Sequence, residues 1–238
     1  MNNSVKIFFV LALFAAVSCE PEEKIAAYPQ DEGFFILNEG NYLAGNGTLS
    51  FYSTETGEIY NDLFGKVNGR ELGDIPSFMA IDGDRGYIVV NNSGTIEAVD
   101  LVTMESLGTV TGLASPRQMV IHENKGYISS LLNGSVIVLE LDELRVSDTL
   151  ETGSSSEGLV ISGNRLFASH WSAGNTITVT DLASGTLIRT ITVGIEPESM
   201  VLDRNGKLWV LCTGGWQGEE IPGIVRINTS TLEKEDEF

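Results

Sequence analysis

Two histidines, His122 and His170, and two cysteines, Cys19 and Cys212, are the whole supply of soft metal ligands and ready bases in 238 residues. They fall in separate stretches of the chain and in none of the spacings that metal or nucleophile chemistry needs: HExxH, CxxC, the GxSxG elbow and the glycine-rich phosphate loop are all missing. Glu219 and Glu220 are adjacent, so nothing places them on either side of a scissile bond. DGDRG at Asp82 lacks the downstream acidic ligand of a calcium loop and reads as a hairpin turn. The chemistry that remains is recognition. Asn, Glu and Arg side chains fix amides and hydroxyls, and Tyr42, Trp171 and Trp216 offer flat apolar area with a polar tip. No enzyme activity, resident metal or cofactor is expected. His170, alone beside Trp171, suits a structural role better than a metal, and Cys212 reads as a buried apolar residue.

Such residues need a frame, and the frame is a repeat. From Pro76 onward four copies follow at about 40-residue intervals: IPSFMAIDGDRGYIVVNNSGTIEAVDL, SPRQMVIHENKGYISSLLNGSVIVLEL, SSEGLVISGNRLFASHWSAGNTITVTDL and EPESMVLDRNGKLWVLCTGGWQGEEIPGIVRIN. Pro76, Pro116 and Pro197 hold one slot, which Ser156 fills in the third copy. Each copy has three short runs rich in Val, Ile and aromatics, then a fourth such as SLGTVTG or LIRTITVG. DGDRG, ENKG and DRNG fall between the first and second runs, NNSG and LNGS between the second and third, which is hairpin chemistry. No sustained helical period appears. The prediction is an all-β chain, a β-propeller of four-stranded blades.

The first unit, GFFILNEGNYLAGNGTLSFYSTETGEIYNDLF, aligns its Gly33 and Phe34 with Gly86 and Tyr87 and therefore lacks a first strand. Propellers commonly close by borrowing that strand from the far end of the chain. Nothing after Glu233 suits Phe34–Leu37, so the expectation is about five blades of a truncated seven-bladed ring, with 32–238 as the propeller, incomplete at its C-terminus.

In a blade, the loop between strands two and three and the segment leading into strand one emerge on one face, because neighbouring strands are antiparallel. Read by column, the end of the second strand gives Asn38, Asn91, Leu131, His170 and Cys212, followed by Glu39, Asn92, Leu132, Trp171 and Thr213. The start of the first strand gives Ser77, Arg117, Glu157 and Glu198. Variation here beside near-identity in the strands is how a repeat scaffold presents a distinct surface. The candidate ligand residues are Asn38, Glu39, Asn41, Tyr42, Asn91, Asn92, Arg117, Glu157, His170, Trp171, Glu198 and Trp216, with turn formation an equal use for Asn91 and Asn92. Trp216 lies in GGWQGEEIPG, longer than the matching turns.

Thirty-three acidic against 14 basic side chains give a net charge of -19, which repels a phosphate backbone and argues against nucleic acid. At the N-terminus, Lys6, the apolar run Ile7–Val17 and then Ser18-Cys19 have the anatomy of a signal peptide, 1–18, too short to span a bilayer. Ending at a Cys after small residues, the segment resembles a bacterial lipoprotein signal, which implies lipidation of Cys19 and leaves Cys212 without a disulfide partner. Residues 19–31 form an acidic tether. Its EPEEK resembles the signal that sends lipoproteins of Bacteroides-type bacteria to the outer face of the outer membrane, while on composition alone it is a flexible spacer.

With GFFILNEGN, GYIVVNNSG and LWVLCTGGW, the stretch from Gly33 to Phe238 resembles the lipoprotein propellers of Bacteroides relatives, the YncE-like and YVTN repeat proteins, among them the BtuG-like cobalamin-binding group. That resemblance implies a cell-surface lipoprotein that binds a ligand such as cobalamin or another corrinoid and passes it to a TonB-dependent outer-membrane transporter. The alternative is a propeller that grips a protein or polysaccharide with no small-molecule ligand.

Overall fold

The computed structural model describes residues 24–238; the signal segment, Cys19 and the start of the tether lie outside the described residues. Short β-branched and aromatic runs punctuated by tight turns fold into five antiparallel sheets, each with its strands side by side in chain order. Blade one holds Gly33–Asn38, Thr48–Ser53 and Ile59–Tyr60. Blade two holds Pro76–Asp82, Arg85–Val90, Thr95–Asp100 and Ser106–Val110. Blade three holds Pro116–His122, Lys125–Ser130, Ser135–Glu140 and Arg145–Glu151. Blade four holds Leu159–Ser162, Arg165–Ser169, Thr176–Asp181 and Thr186–Thr192. Blade five holds Pro197–Leu202, Lys207–Cys212, Gly223–Asn228 and Glu233–Glu237. The first strands of blades two to five lie one against the next and so line a common axis.

The core is not central but sits between blades. Alternation along Arg85–Val90 sends Ile88 and Val90 toward Leu49 and Phe51 of blade one, and Tyr87 and Val89 toward Met119 and Ile128 of blade three. The same arrangement recurs between blades three and four, around Val138 and Leu166, and between four and five, around Phe167 and Val210. Each such side chain, removed from water, contributes about 1.5–3 kcal/mol.

One expectation, the alignment of the second strands, is corrected. The pair at the open end of each second–third hairpin, opposite the turn the two strands share, is Arg85–Asp100, Lys125–Glu140, Arg165–Asp181 and Lys207–Asn228, and in blade one it is Gly33–Ser53. Gly33 therefore matches Arg85, not Gly86, and Phe35 matches Tyr87. By register the sixth position of the second strand is then Asn38, Val90, Ser130, His170 and Cys212, one residue earlier in blades two and three than the sequence columns placed it, and in blade four the strand itself stops at Ser169. The C-terminal strand Glu233–Glu237 pairs with Gly223–Asn228 as the outer strand of blade five and, as the sequence suggested, does not complete blade one, which stays three-stranded among the described residues. A six-residue helix, Leu63–Asn68, follows blade one. Asp62 caps it by accepting from Gly65 N, Phe64 and Leu63 are buried beneath it, and Arg70 stacks over the Phe64 ring at 4.7 Å.

Candidate functional site

At the start of the first strands the ladder slips. Pro76 faces Val90 but Phe78 already faces Val89; Pro197 faces Cys212 and Ser199 faces Leu211; Pro116 faces Ser130 while Met119 faces Ile128. The extra residues are Ser77, Glu198 and Arg117, each at a β-bulge, where a strand re-aims a side chain that regular pairing would have put into the sheet. The residue before each of the three prolines, Ile75, Ser115 and Glu196, holds a left-handed backbone with φ of 59°, 51° and 53°. This conformation is costly for a β-branched residue such as Ile75. Its carbonyl is held in place: Ile75, Ser115 and Glu196 accept from the amides of Asn91, Leu131 and Thr213.

The re-aimed side chains converge. A cavity of about 330 Å³ on the axis is lined by Glu39, Ser77, Arg117, Gln118, Glu157 and Glu198, together with Phe78, Gly158, Ser199 and Met200. Arg117 Nε donates to both carboxylate oxygens of Glu157 at 3.0 and 2.9 Å and Nη2 to one of them at 2.8 Å. This fork geometry is the strong form of the pair. The Glu157 hydrogen bond raises the pKa of Arg117 against the opposing effect of burial, and Glu39 and Glu198 add to it at longer range. Behind the pair, Ser129 Oγ donates to the Glu157 carbonyl at 2.6 Å and Gln118 Oε1 accepts from Leu159 N at 2.6 Å, which fixes the walls. Three carboxylates face one guanidinium, so the opening carries net negative charge and both donor and acceptor groups.

Of the twelve candidate residues, Glu39, Arg117, Glu157 and Glu198 share this cavity. Tyr42 and Trp216 stand exposed on loops between second and third strands of blades one and five, on the same face, with Trp216 90% exposed. The loop carrying Trp216 is tied down at its base, where Gly214 N donates to Ile195 O and Ile195 N to Glu220 Oε2, so the indole is presented on a fixed stem. Trp171 is half-buried. The remaining candidates lie outside the cavity lining, and five of their groups are engaged with the scaffold. Asn38 Nδ2 donates to Thr48 Oγ1 and Ser50 Oγ, and Asn41 N to Asn46 Oδ1. Asn91 Nδ2 donates to Ser115 Oγ and Pro116 O, and Asn92 Nδ2 to Asp74. His170 is buried, with Nδ1 2.7 Å from Ser155 O and Nε2 2.9 Å from Thr178 Oγ1; burial lowers its pKa against the effect of the Ser155 carbonyl. Cys212 is buried too, and burial raises its thiol pKa.

Sequence columns did not single out Gln118, Gly158, Ser199, Phe78 and Met200. Their signal was the position two or three residues past the Pro slot, which only the bulge turns toward the axis.

Radial four-stranded sheets around an axial opening define a β-propeller. The chain belongs to the family described as a domain of unknown function, DUF5074, whose model matches residues 32–237. No curated protein matches the sequence. Among solved structures it is similar to the RRP9 WD40 repeats, with a TM-score of 0.66 and 15% identity over 88% of this chain and 60% of that one. U3-55K gives 0.62 and 16%, over 78% and 56%, and Kuenenia stuttgartiensis hydrazine synthase 0.62 and 16%, over 68% and 48%. The chain thus spans about half the length of these structures, and at such identities the likeness concerns the fold.

Proposed function

We propose that this is a binding propeller which holds a ligand at its axial opening and performs no reaction on it. The observation that carries this is convergence: residues chosen because they vary between otherwise similar units, Glu39, Arg117, Glu157 and Glu198, line one cavity. Binding is favoured over catalysis because Arg117 and Glu157 satisfy one another and His170, the best base near this face, has both ring nitrogens occupied away from the opening. The resemblance of the repeats names the ligand as cobalamin or another corrinoid, delivered by a lipoprotein anchored through Cys19 at the cell surface to a TonB-dependent transporter. The opening suits such a ligand in one respect. A corrinoid displays amides around a flat ring, and carboxylates and a guanidinium accept from and donate to amides, while Tyr42 and Trp216 on the same face offer area for the ring. Calorimetric titration with cyanocobalamin tests it: tight binding that Glu198→Gln weakens is the expected result, and absence of binding at micromolar protein removes the corrinoid.

A second reading, a module that grips a protein or polysaccharide, is favoured by the apolar tips on that face. Trp216, Ile221, Leu132 and Tyr42 are all exposed there. Capture of an outer-membrane transporter by the ligand-free chain would select this reading.

A further inference from the structure

Every blade has two ends. At one, the turn between first and second strands meets the turn between third and fourth, as where Leu101 N donates to Asp84 O at 2.8 Å in blade two. At the other, the turn between second and third strands meets the segment that leads into the next blade, as where Leu113 N donates to Gly94 O at 3.0 Å, and this end bears the cavity. Residues 24–32 run along the first end, opposite the cavity. Lys24 pairs with Asp100, and Ala27 N donates to Val102 O at 2.9 Å in a turn of blade two. Ala26 and Ala27 share a hollow with Val67, Thr103 and Glu105. Tyr28 is buried, its ring 4.5 Å from that of Phe51 and 5.5 Å from that of Phe35. Asp31 accepts from Ser53 Oγ at 2.6 Å and Glu32 O from Thr54 N at 2.8 Å, at the corresponding turn of blade one. The segment is stitched across two blades on the side away from the opening.

We propose that the propeller sits on its membrane with the cavity pointing away from the lipid, so that its ligand is taken from the medium. This rests on the reading that Cys19 carries the lipid anchor and adds a direction to it. Length decides the direction. From Cys19 to Lys24 is five residues, which fully extended reach about 18 Å. A six-residue strand such as Ser135–Glu140, at about 3.3 Å per residue, separates the two ends of a blade by about 20 Å, and the loops bearing Leu132 and Trp216 stand beyond that. With the cavity turned to the lipid, Lys24 would be held farther from the bilayer than its tether can reach. With the cavity turned outward, the tether need not be stretched. Because Lys24, Ala27 and Tyr28 are held at separate points, the segment has no free joint between Lys24 and blade one about which the propeller could turn over.

The full chain, expressed in a bacterium that acylates lipoproteins, is reconstituted in phosphatidylcholine vesicles containing a rhodamine-headgroup lipid, and energy transfer is read from a maleimide dye at one of two positions in blade three. Glu143→Cys puts the dye in the turn between third and fourth strands, and Leu132→Cys puts it in the turn on the cavity side. Both side chains are exposed, and Cys212 is buried and stays unlabelled. Transfer from Glu143→Cys should exceed that from Leu132→Cys. Inserting about twenty Gly and Ser residues between Cys19 and Lys24 should narrow the difference, because the tether then outreaches the blade. Should Leu132→Cys fail to fold, Asn133→Cys in the same turn takes its place. Equal transfer from the two positions, greater transfer from the cavity side, or a difference untouched by the insertion overturns the proposal. Mass spectrometry separates that failure from failure of the underlying reading. A chain without an acyl group, or vesicle binding that survives Cys19→Ser, removes the anchor and the proposal with it, whereas an acylated Cys19 with reversed transfer rejects the direction alone.

Discussion

Among the described residues, Arg117 and Glu157 form the one ion pair inside the axial opening, and its strength reports how far the opening is organised. Their side chains are 29% and 16% exposed, and three donor–acceptor contacts of 2.8–3.0 Å join them. An exposed pair couples by about 0.2–1 kcal/mol, whereas hydrogen bonds to charged groups contribute about 1.5–3 kcal/mol each when shielded from water. Partial screening places the coupling near the bottom of that second range, so a double-mutant cycle of Glu157→Gln and Arg117→Gln should give about 2 kcal/mol. For a chain of this size Glu157→Gln should then lower the melting temperature by roughly 4–8 °C. The two single variants should differ. Without Glu157 the guanidinium still has Glu39 and Glu198 nearby, but without Arg117 three carboxylates face one another, so Arg117→Gln costs more at neutral pH. In 1 M salt, where the screening length falls to about 3 Å, the difference should shrink. Urea denaturation of the four proteins supplies the cycle. A coupling below about 0.5 kcal/mol, the value of a solvated surface pair, would refute the claim that these groups are held in a defined, partly dry opening.

The buried His170 makes stability fall in mild acid. Its folded pKa is lowered, so below the ordinary value of 6.5 the unfolded chain binds the proton first, and stability drops as pH falls from there, by up to about 1.4 kcal/mol per unit. Thermal melts from pH 7 to 5 should show that loss, and His170→Gln should flatten it; an identical slope in the variant argues against a buried neutral imidazole. Gly94, in the NNSG turn, has φ +64°, and a Cβ there would stand 2.5 Å from Leu113 O. Gly94→Ala should therefore cost at least the 1–2 kcal/mol of a left-handed L-residue, read as a melting temperature lowered by several degrees. Trp216→Ala should leave the melting temperature within a degree of wild type because the indole touches solvent, while weakening whatever binds the face about tenfold or more. Equal affinity in the variant would take Trp216 out of the binding surface.

The blades were legible because each level of the sequence agreed: β-branched runs of the right length, glycine turns between them and a prolyl slot at constant spacing. What failed was register. Gly33-Phe34 looks like Gly86-Tyr87, and a residue-type match outweighed the less conspicuous agreement of Ser53 with Asp100, each of which receives the turn that follows its strand: Ser53 N donates to Glu58 O and Asp100 N to Glu105 O. A slip of one residue in a strand exchanges its faces: the column alignment sets Phe34 beside the buried Tyr87, whereas by register it is solvent-facing. The bulges were invisible for a related reason. Ser77, Arg117 and Glu198 follow Pro in the sequence whether or not the ladder slips, and the slip alone turns them to the axis. The helix Leu63–Asn68 has too few turns to leave a period.

Glu39 reaches the opening by a different route from its neighbours. Its equivalents by register, Asn91, Leu131, Trp171 and Thr213, are absent from the cavity lining, and three of them donate their amides to the segment leading into their own blade's first strand. Among the described residues blade one has no such strand, so Glu39 is free to face the axis.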